Sequence, residues 1–160
     1  MLLCSVRVVG VCQPVDYTYL SKGDIMKIIN IYENNENGLE FNSDPRGCIA
    51  DVFYNSDIHH VCLIKSNPNV IRGNHYHNNT TQHTLLTKGK MRYWWQPSDK
   101  STDAQFLDLT LGDLVTSEPT EIHTLEFLDE ESECIVFTIG PRGGVDYEKD
   151  TYRVESIIQR

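Results

Sequence analysis

The sequence lacks long hydrophobic runs, internal repeats, low-complexity tracts and an excess of basic residues. No apolar segment approaches the roughly 20 residues that a membrane-spanning helix needs, so the chain is not expected to span a membrane. Lysine and arginine number 14 against 23 aspartates and glutamates, and the resulting net charge of −9 leaves no basic face for a phosphate backbone or an anionic membrane surface. We therefore predict a protein whose partner is neither nucleic acid nor a membrane.

Closely spaced cysteine pairs are absent as well. The five cysteines, at positions 4, 12, 48, 62 and 134, include no C-x-x-C pair, and their odd number argues against a disulfide framework. Cys62 and Cys134 lie in the apolar runs VCLI and CIVF, where a thiol usually behaves as a small buried hydrophobic group. We predict a reduced, cytoplasmic protein without a nucleophilic cysteine.

The N-terminal segment is apolar without being a signal peptide. Residues 2–12 contain Arg7 and lack both a basic leader and a small-residue cleavage site. Met26 opens a good first strand. Residues 1–25 are therefore either an extension, such as a start codon assigned too far upstream would produce, or an added edge strand. Such a strand would pair with the sheet of the same protomer or with that of a dimer mate. Residues 26–160 are predicted to be one domain, because 160 residues with 39% hydrophobic content have room for a single core.

Short runs of β-branched and aromatic residues recur along the chain between turn residues. The predicted strands are 26–33, 48–54, 60–65, 82–87, 90–95, 105–109, 113–116, 121–127 and 134–139. Turn sequences such as SDPRG, SNPN and TKGK separate them at spacings typical of a sandwich or barrel. The predicted fold class is therefore all-β, with residues 147–158 as the one segment that could form a short C-terminal helix.

Three histidines are predicted to share the interior of this fold. His75 and His77 lie two positions apart on a strand, so both imidazoles are on one face. His123 shares a strand face with Leu125 and Phe127, which indicates that it also faces inward. Imidazoles that meet at one point predict a divalent metal site or a proton-transfer site on a small polar ligand, rather than three separate structural roles.

The spacing of these histidines resembles the two motifs of the cupin superfamily, H-x-H-x4-Q-x6-G from His75 to Gly89 and G-x6-P-x3-H from Gly112 to His123. The resemblance implies a jelly-roll barrel, also called a double-stranded β-helix, that holds one divalent transition metal: zinc, nickel, iron, manganese or copper. The implied ligands are His75, His77, Gln82 and His123.

Two positions depart from the cupin motifs. Gln82 stands where a glutamate is usual, and its carboxamide oxygen can bind a metal without adding charge or can instead hydrogen-bond a ligating imidazole. Thr120 stands where a glycine usually precedes the last histidine by three residues. We therefore expect a site of neutral ligands and an altered local turn.

A narrower resemblance adds a candidate chemistry. The segments SDPRG and VIRGNHY are similar to deoxy-sugar nucleotide epimerases and ketoisomerases, and RGNHYH resembles the metal-binding cupin half of capsular polysaccharide synthesis enzymes. The resemblance implies that His75 is a catalytic base that removes a proton next to a keto group and that Arg72 contacts substrate phosphates. The lysine that these enzymes carry soon after the histidine falls near Gln82 here, and their tyrosine acid falls within residues 134–137, which carry no hydroxyl. A metal bound by the histidines is therefore the alternative electrophile that would polarise the carbonyl.

The predicted function is that of a metal-binding cupin acting on a nucleotide-linked or other polar sugar as an epimerase or isomerase. The alternatives are a metal-dependent oxygenase, which would use iron and consume dioxygen, and a non-catalytic module that binds a sugar or another small ligand. A homodimer is expected.

Further binding residues are predicted around the barrel mouth. Arg46 and Arg72 each adjoin a glycine and are predicted to bind substrate, with a structural pair to Asp44 or Asp51 as the alternative. Tyr93 is predicted as a substrate-binding residue. In a strand, Tyr93 and Trp95 face one way and Trp94 faces the other, and one of these two faces must belong to the core. The other face suits a sugar or a dimer interface. Surface or loop positions are expected for the three other histidines, His59, His60 and His83.

Overall fold

The structure is a computed structural model that describes residues 27–33, 39–128 and 130–159. The predicted extension or edge strand at residues 1–25 lies outside the described residues. Within the described ranges, no helix is long and apolar enough to cross a membrane. The strands are β1 (Lys27–Asn30), β2 (Phe41–Asp44), β3 (Gly47–Ala50), β4 (His60–Ser66), β5 (Ile71–Tyr76), β6 (Thr81–Lys88), β7 (Met91–Pro97), β8 (Gln105–Leu109), β9 (Asp113–Ser117), β10 (Glu121–Phe127), β11 (Ser132–Ile139) and β12 (Tyr152–Arg153).

Two five-stranded antiparallel sheets form the barrel. One sheet has the order β1-β9-β6-β11-β4, the other has the order β12-β5-β10-β7-β8, and β2 and β3 form a separate hairpin. Most neighbouring strands are distant in sequence, which is the crossover pattern of a jelly roll rather than of a simple meander. The predicted all-β jelly-roll fold is confirmed.

The core lies between the inner faces of the two sheets, where alternate strand residues meet. On β11, for example, Cys134 and Val136 are buried while their neighbours are only half-buried. This alternation follows from the period of two along a strand and places one apolar residue in every two inside. The main buried cluster consists of Leu86, Met91, Tyr93, Trp95, Leu109, Val115, Leu125, Phe127, Cys134 and Val136.

Some element boundaries differ from the predicted ones. β1 ends at Asn30 because the main-chain N–H of Glu33 bonds back to its carbonyl oxygen at 3.1 Å and closes a turn. β2 was not predicted, since its sequence FNSD is polar; it pairs with β3 across the turn that SDPRG predicts. β3 ends at Ala50, so the predicted strand at 48–54 is only half formed.

The possible C-terminal helix at residues 147–158 does not form. A single 3-10 turn at Gly144–Asp146 precedes β12, which pairs with β5 through Tyr152 opposite Tyr76 and Arg153 opposite His75. Strand pairing satisfies the main chain here in place of helical bonds. Residues 142–153, called the closing segment below, therefore end along the edge of the sheet that carries the histidines.

Candidate functional site

His75, His77 and His123 converge inside the barrel. His75 lies on β5 directly opposite His123 on the neighbouring β10, and His77 follows two residues after His75. The ring centroids of His75 and His123 are 4.6 Å apart, and His77 lies 5.0 Å from the first ring and 5.1 Å from the second. All three side chains are buried, with at most 9% of their surface exposed. The structure thus brings together the three imidazoles that the spacing predicts.

Glycine at position 73 allows the two strands to approach each other at this point. A Cβ atom on Gly73 would lie 2.6 Å from the main-chain oxygen of His123, and its φ of +98° is unfavourable for other residues. The register between β5 and β10 also shifts between His123 and Thr124. This bulge and the missing side chain let His75 and His123 meet face to edge.

Thr120 adopts a left-handed backbone conformation, which glycine tolerates better than other residues. Its φ is +69°, and its N–H donates a hydrogen bond of 2.6 Å to the main-chain oxygen of His77. The turn is therefore formed at the cost of strain in a β-branched residue. This turn ties the segment before β10 to the end of β5.

The hydrogen bonds of the three imidazoles leave the same nitrogen free on each ring. Nδ1 of His77 lies 2.5 Å from the main-chain oxygen of Asp150, and Nδ1 of His123 lies 3.2 Å from that of Glu121. His75 bonds to the main chain of Gly73. Each Nε2 is buried and has no hydrogen-bond partner. Because main-chain oxygens accept the Nδ1 protons of His77 and His123, the Nε2 atoms of these two rings carry a lone pair.

These free lone pairs fit a transition metal. The candidate ligand atoms of His75, His77 and His123 all lie within 4.8 Å of one another. Orphaned buried nitrogens are rare in proteins, and three together in one space form a set that one shared ion could satisfy. Neutral imidazoles held by main-chain carbonyls are the usual ligand arrangement for zinc, copper, iron and nickel.

Burial keeps the histidines neutral. Burial, followed by the neighbouring His77 and Arg142, lowers the pKa of His75 to about 3. The pKa of His123 lies well below its usual value, through burial and then through the two other imidazoles. Burial also lowers the pKa of His77, and its bond to Asp150 offsets part of this change. Neutral imidazole is the form that binds metals and accepts protons.

Gln82 lies beside the histidines, as the motif predicts, and its oxygen is already engaged. Its side chain is 4% exposed, and Oε1 accepts a 3.2 Å hydrogen bond from Nη1 of Arg142. Gln82 also raises the pKa of His77. The carboxamide therefore bonds to a guanidinium and lies near an imidazole, where it can serve as a metal ligand or as a support for one.

A cavity of about 420 Å³ opens onto the histidines. Of the predicted residues, Arg72, His75, Gln82 and His123 line it. The closing segment adds three polar residues that the sequence patterns do not single out, Arg142, Tyr147 and Arg153. Part of its wall is apolar and is formed by Cys62, Ile64, Leu125 and Val136. The site therefore combines imidazoles and guanidinium groups in one half-enclosed space.

One signal of the added arginine is present in the sequence. Arg142 precedes Gly143, as Arg46 precedes Gly47 and Arg72 precedes Gly73. Two of these three arginines line the histidine cavity. The tail positions of Tyr147 and Arg153 carry no such signal, because they depend on how the closing segment packs.

Arg46 and Tyr93 do not join the histidines in this chain. Arg46 lies in the exposed turn between β2 and β3, where it forms an ion pair of 2.5 Å with Asp44, the structural alternative stated above. Tyr93 is completely buried, its hydroxyl bonds to Ser117, and its ring lies parallel to that of His123 at 6.5 Å. The structure places Tyr93 in the core behind His123, not on the cavity wall.

Glu121 is a further buried polar residue that the sequence patterns do not reveal. Its side chain is 1% exposed, and neither carboxylate oxygen has a hydrogen-bond partner. Burial raises the pKa of Glu121 to about 8, and the nearby Ser117 offsets part of this effect. Glu121 is therefore a neutral carboxylic acid at pH 7, two residues from His123 on the inward face of β10.

His83 lies on the opposite face from Gln82, as predicted, but it is not a surface residue. Phe53 packs edge-on against its ring at 5.0 Å, and Nδ1 lies 2.9 Å from the hydroxyl of Thr116. The reason is that the loop after β3 folds over this face of the first sheet and covers the imidazole. His83 is half-buried and remote from the cavity lining.

Comparisons with known proteins show likeness in structure only. No protein-family model matches the chain, and no curated protein matches it. The 3,4-ketoisomerase QdtA from Thermoanaerobacterium thermosaccharolyticum, solved as a mutant with TDP-4-keto-6-deoxyglucose, gives a TM-score of 0.64 at 14% identity, over 81% of this chain and 88% of that one. The dTDP-4-dehydrorhamnose 3,5-epimerase from Sulfolobus tokodaii gives 0.62 at 17% identity, over 86% of each chain.

A third match covers only part of a longer protein. CapF, solved with the inhibitor 3-isopropenyl-tropolone, gives a TM-score of 0.54 at 22% identity, over 74% of this chain and 35% of CapF. All three matches share the cupin type of barrel, which agrees with the resemblance carried by the histidine motifs. The chain therefore has the cupin fold that these sugar-nucleotide ketoisomerases and epimerases share.

Proposed function

We propose that this protein is an epimerase or isomerase that acts on a nucleotide-linked or other polar sugar in the histidine cavity. The observation that carries the proposal is the set of three neutral imidazoles whose Nε2 atoms are free and close together beside a cavity of about 420 Å³. A cavity of this size suits a small polar ligand. The likeness in fold to an enzyme solved with TDP-4-keto-6-deoxyglucose supports a sugar nucleotide.

His75 is the proposed base because it is the most accessible of the three imidazoles. It lines the cavity and is 9% exposed, against 1% for His77 and His123. Its neutral Nε2 accepts a proton from the carbon next to a sugar carbonyl, and the electron pair moves onto the carbonyl oxygen as an enolate. Return of a proton from water to the opposite face of that carbon inverts its configuration, His75 releases its proton to water, and no oxidant is needed.

The same intermediate allows isomerisation. If the former carbonyl carbon takes up the proton from His75 and the adjacent hydroxyl passes its own proton to the enolate oxygen, the carbonyl moves by one position along the sugar. Arg72, whose Nε donates a 3.0 Å bond to the hydroxyl of Ser66, lines the same cavity and is the proposed contact for the nucleotide phosphates.

A divalent transition metal is part of the proposal. His75, His77 and His123 would hold it through Nε2, with Gln82 as a further or supporting ligand. When bound, such a metal supplies a Lewis acid that polarises a carbonyl. One Nε2 lone pair cannot bind a metal and accept a proton at the same time, so the two proposed roles of His75 belong to different states of the site.

Metal analysis tests this part of the proposal. Protein purified without an immobilised-metal column is expected to contain close to one metal ion per chain, and a His75→Ala/His123→Ala variant is expected to contain none. The matched control is His83→Ala, which removes a half-buried imidazole from the opposite face of the first sheet. If the wild-type protein contains no metal, the metal part of the proposal fails and His75 keeps only its role as a base.

Proton exchange tests the reaction itself. In D₂O, metal-free wild-type protein, in which Nε2 of His75 is available as the base, is expected to introduce deuterium next to the carbonyl of TDP-4-keto-6-deoxyglucose, and proton NMR measures this exchange. His75→Ala should slow this exchange at least about 100-fold, as expected for loss of a general base, whereas His83→Ala should not change it. Binding of the sugar nucleotide without exchange would favour the non-catalytic module, and dioxygen uptake with bound iron would favour the oxygenase.

The expected homodimer stays a prediction that sedimentation equilibrium tests.

A further inference from the structure

Arg142 is a buried cation without an acidic partner among the described residues. Its side chain lines the histidine cavity and the residue is only 5% exposed. Nη1 donates to Oε1 of Gln82 at 3.2 Å, and Nε donates to the hydroxyl of Thr151 at 3.3 Å. In the described part of the chain, Nη2 has no hydrogen-bond partner and no carboxylate lies within ion-pair distance of this guanidinium.

The other two arginines of the cavity are different. Arg153 forms a bidentate ion pair with Glu148, with distances of 2.6 and 2.8 Å. Arg72 is exposed and its charge is accessible to water. Arg142 therefore combines a deep position with the absence of a carboxylate at ion-pair distance among the described residues, which neither of the others does.

An aromatic ring holds the guanidinium in place. Its central carbon lies 4.0 Å from the ring centroid of Tyr147, which also lines the cavity. Stacking on a ring orients the planar guanidinium and leaves its edge available for a second, in-plane contact. The geometry thus presents N–H donors beside the imidazoles before any ligand is bound.

An isolated buried charge is unfavourable unless it is paired, because burial removes its hydration. A negatively charged ligand group would restore the balance and would find donors with the fork geometry that carboxylates and phosphates accept. We propose that Arg142 binds an oxyanion group of the ligand, so that the molecule recognised by the histidine cavity is an acid. The inference rests on the proposed function only for the choice of this cavity as the ligand site.

The location distinguishes this contact from one at the cavity mouth. Arg142 reaches Gln82, which in turn lies next to His77, so the oxyanion is placed at the histidine end. Two sources share the required chemistry: a phosphate of a nucleotide and a carboxylate on the sugar itself. A sugar acid would bring its carboxylate next to the carbon on which His75 acts.

Calorimetric titrations with three probes test the inference. Thymidine diphosphate carries phosphates, glucuronate carries a carboxylate, and glucose is the matched neutral sugar. The variant Arg142→Met is compared with Arg92→Met, an arginine that stacks on Phe106 at 4.2 Å in the same manner but lies on the outer face with Asp108 as its ion-pair partner. Thermal unfolding of each variant verifies that it is folded.

The wild-type protein is expected to bind at least one of the two anions and to bind glucose more weakly. Arg142→Met should weaken that anion at least about tenfold, in line with the loss of a charge-assisted contact, and Arg92→Met should leave it unchanged. Loss of thymidine diphosphate alone assigns a phosphate, and loss of glucuronate alone assigns a carboxylate. Unchanged binding of both in folded Arg142→Met would overturn the inference, as would a wild-type protein that binds neither anion at about 10 mM.

A second variant covers a failure of Arg142→Met to fold. Tyr147→Leu removes the ring under the guanidinium from a position that is 41% exposed, and it should weaken anion binding about threefold to tenfold. If this variant binds as the wild type does while Arg142→Met does not fold, the inference fails. Deuterium exchange separates the two proposals, because Arg142-dependent anion binding without exchange removes the proposed reaction and leaves the anion site in place.

Discussion

Nδ1 of His77 lies 2.5 Å from the main-chain oxygen of Asp150, a residue 73 positions later in the chain. The carboxylate of Asp150 accepts three further hydrogen bonds, from the N–H groups of Asn78 and Asn79 at 2.9 and 3.0 Å and from the hydroxyl of Thr80 at 2.7 Å. Asp150 therefore fixes both the orientation of one imidazole and the loop that follows β5. The closing segment is part of the histidine site through this residue.

Replacement of Asp150 should affect stability and the site together. Asp150→Ala leaves three donors without their acceptor and is expected to lower the free energy of unfolding by about 3 kcal/mol, as measured by urea denaturation. Because the main-chain oxygen at position 150 also loses its anchor, we expect zinc affinity to fall about tenfold. Asp150→Asn retains one acceptor oxygen and should show smaller losses.

The matched control for this change is Asp146→Ala. Asp146 lies in the same closing segment and forms an exposed ion pair with Lys149 at 2.6 Å. Exposed pairs of this kind contribute little, so its removal should cost less than about 1 kcal/mol. Equal losses in the two variants would show that the segment as a whole, rather than the Asp150 contacts, supports the site.

The buried histidines should make the metal-free protein sensitive to acid. The pKa of His75 is about 3 in the folded protein, below the value near 6.5 of an unfolded chain. The unfolded state therefore binds the extra proton between these values, and stability falls as the pH decreases from about 6.5. In chelator-treated protein, His75→Gln should flatten the curve of unfolding free energy against pH by up to about 1.4 kcal/mol per unit in this window. Equal slopes for the wild type and His75→Gln would contradict a His75 that stays neutral in the folded protein.

Glu121 should produce the opposite slope on the alkaline side. Its pKa is about 8 in the folded protein, above the usual value of 4.5. The folded state therefore retains a proton that the unfolded state loses, so the stability from this group is complete below pH 4.5 and is lost as the pH rises to 8. Between pH 6.5 and 8, unfolding free energy should fall by up to about 1.4 kcal/mol per unit.

Glu121→Gln should remove this alkaline decline, since glutamine is neutral at every pH. The control is Glu130→Gln, at an exposed position. A wild-type curve that stays flat from pH 6.5 to 8 would mean that Glu121 is ionised in the folded protein and has a partner in solution that the buried geometry does not provide.

The sequence predicts those parts of the site that strand periodicity controls. A period of two places His75 and His77 on one face, and the apolar neighbours of His123 indicate its inward direction; the structure brings all three together. Tyr93, Trp94 and Trp95 are all buried, because Trp94 packs with Ile122 and Ile157 on the other face of β7, so neither face is left for a sugar or a dimer mate as predicted. Periodicity also cannot tell the inner core from the cavity wall, and Tyr93 lies in the core. Whether an inward residue meets ligand or protein depends on its depth along the barrel.

Contacts between distant segments are beyond this kind of reasoning. Arg142 and Tyr147 reach the cavity because the closing segment pairs with the edge of β5 and because Asp150 anchors it, and neither event has a local signature. The possible C-terminal helix fails for the same reason, since tertiary pairing outweighs a weak local preference. Arg46 shares the Arg-Gly pattern of Arg142 but lies in an exposed hairpin turn.

Thr120 offers a test of backbone strain at the site. A β-branched residue at a φ of +69° costs about 1–2 kcal/mol, while a glycine there loses about 0.5–1 kcal/mol through the entropy of the unfolded chain. Thr120→Gly should therefore raise the free energy of unfolding by up to about 1 kcal/mol in urea denaturation. Gly73→Ala is the contrasting change, because its Cβ would meet the oxygen of His123, and it should be strongly destabilising. A destabilised Thr120→Gly protein would indicate that the threonine side chain has a stabilising role in solution.

Thiol labelling can follow occupation of the cavity without an activity assay. Cys48 is exposed, Cys62 is half-buried and lines the histidine cavity, and Cys134 is buried in the core. Burial raises the pKa of Cys134 to about 12, so that only about one thiol in 10,000 is ionised at pH 8. With iodoacetamide and peptide mass mapping, Cys48 should react first among the three cysteines in the described ranges, and Cys134 should react only when the protein unfolds.

Cys62 is the informative thiol, and Cys48 is its internal control. Burial also raises the pKa of Cys62, with Arg142 offsetting part of the effect, so its labelling should be slow but measurable in the folded protein. A ligand in the cavity covers this side chain and should slow its labelling several-fold without changing the rate at Cys48. If thymidine diphosphate or glucuronate binds and the rate at Cys62 does not change, the bound molecule lies outside the histidine cavity, because Cys62 is part of the wall that a ligand there would cover.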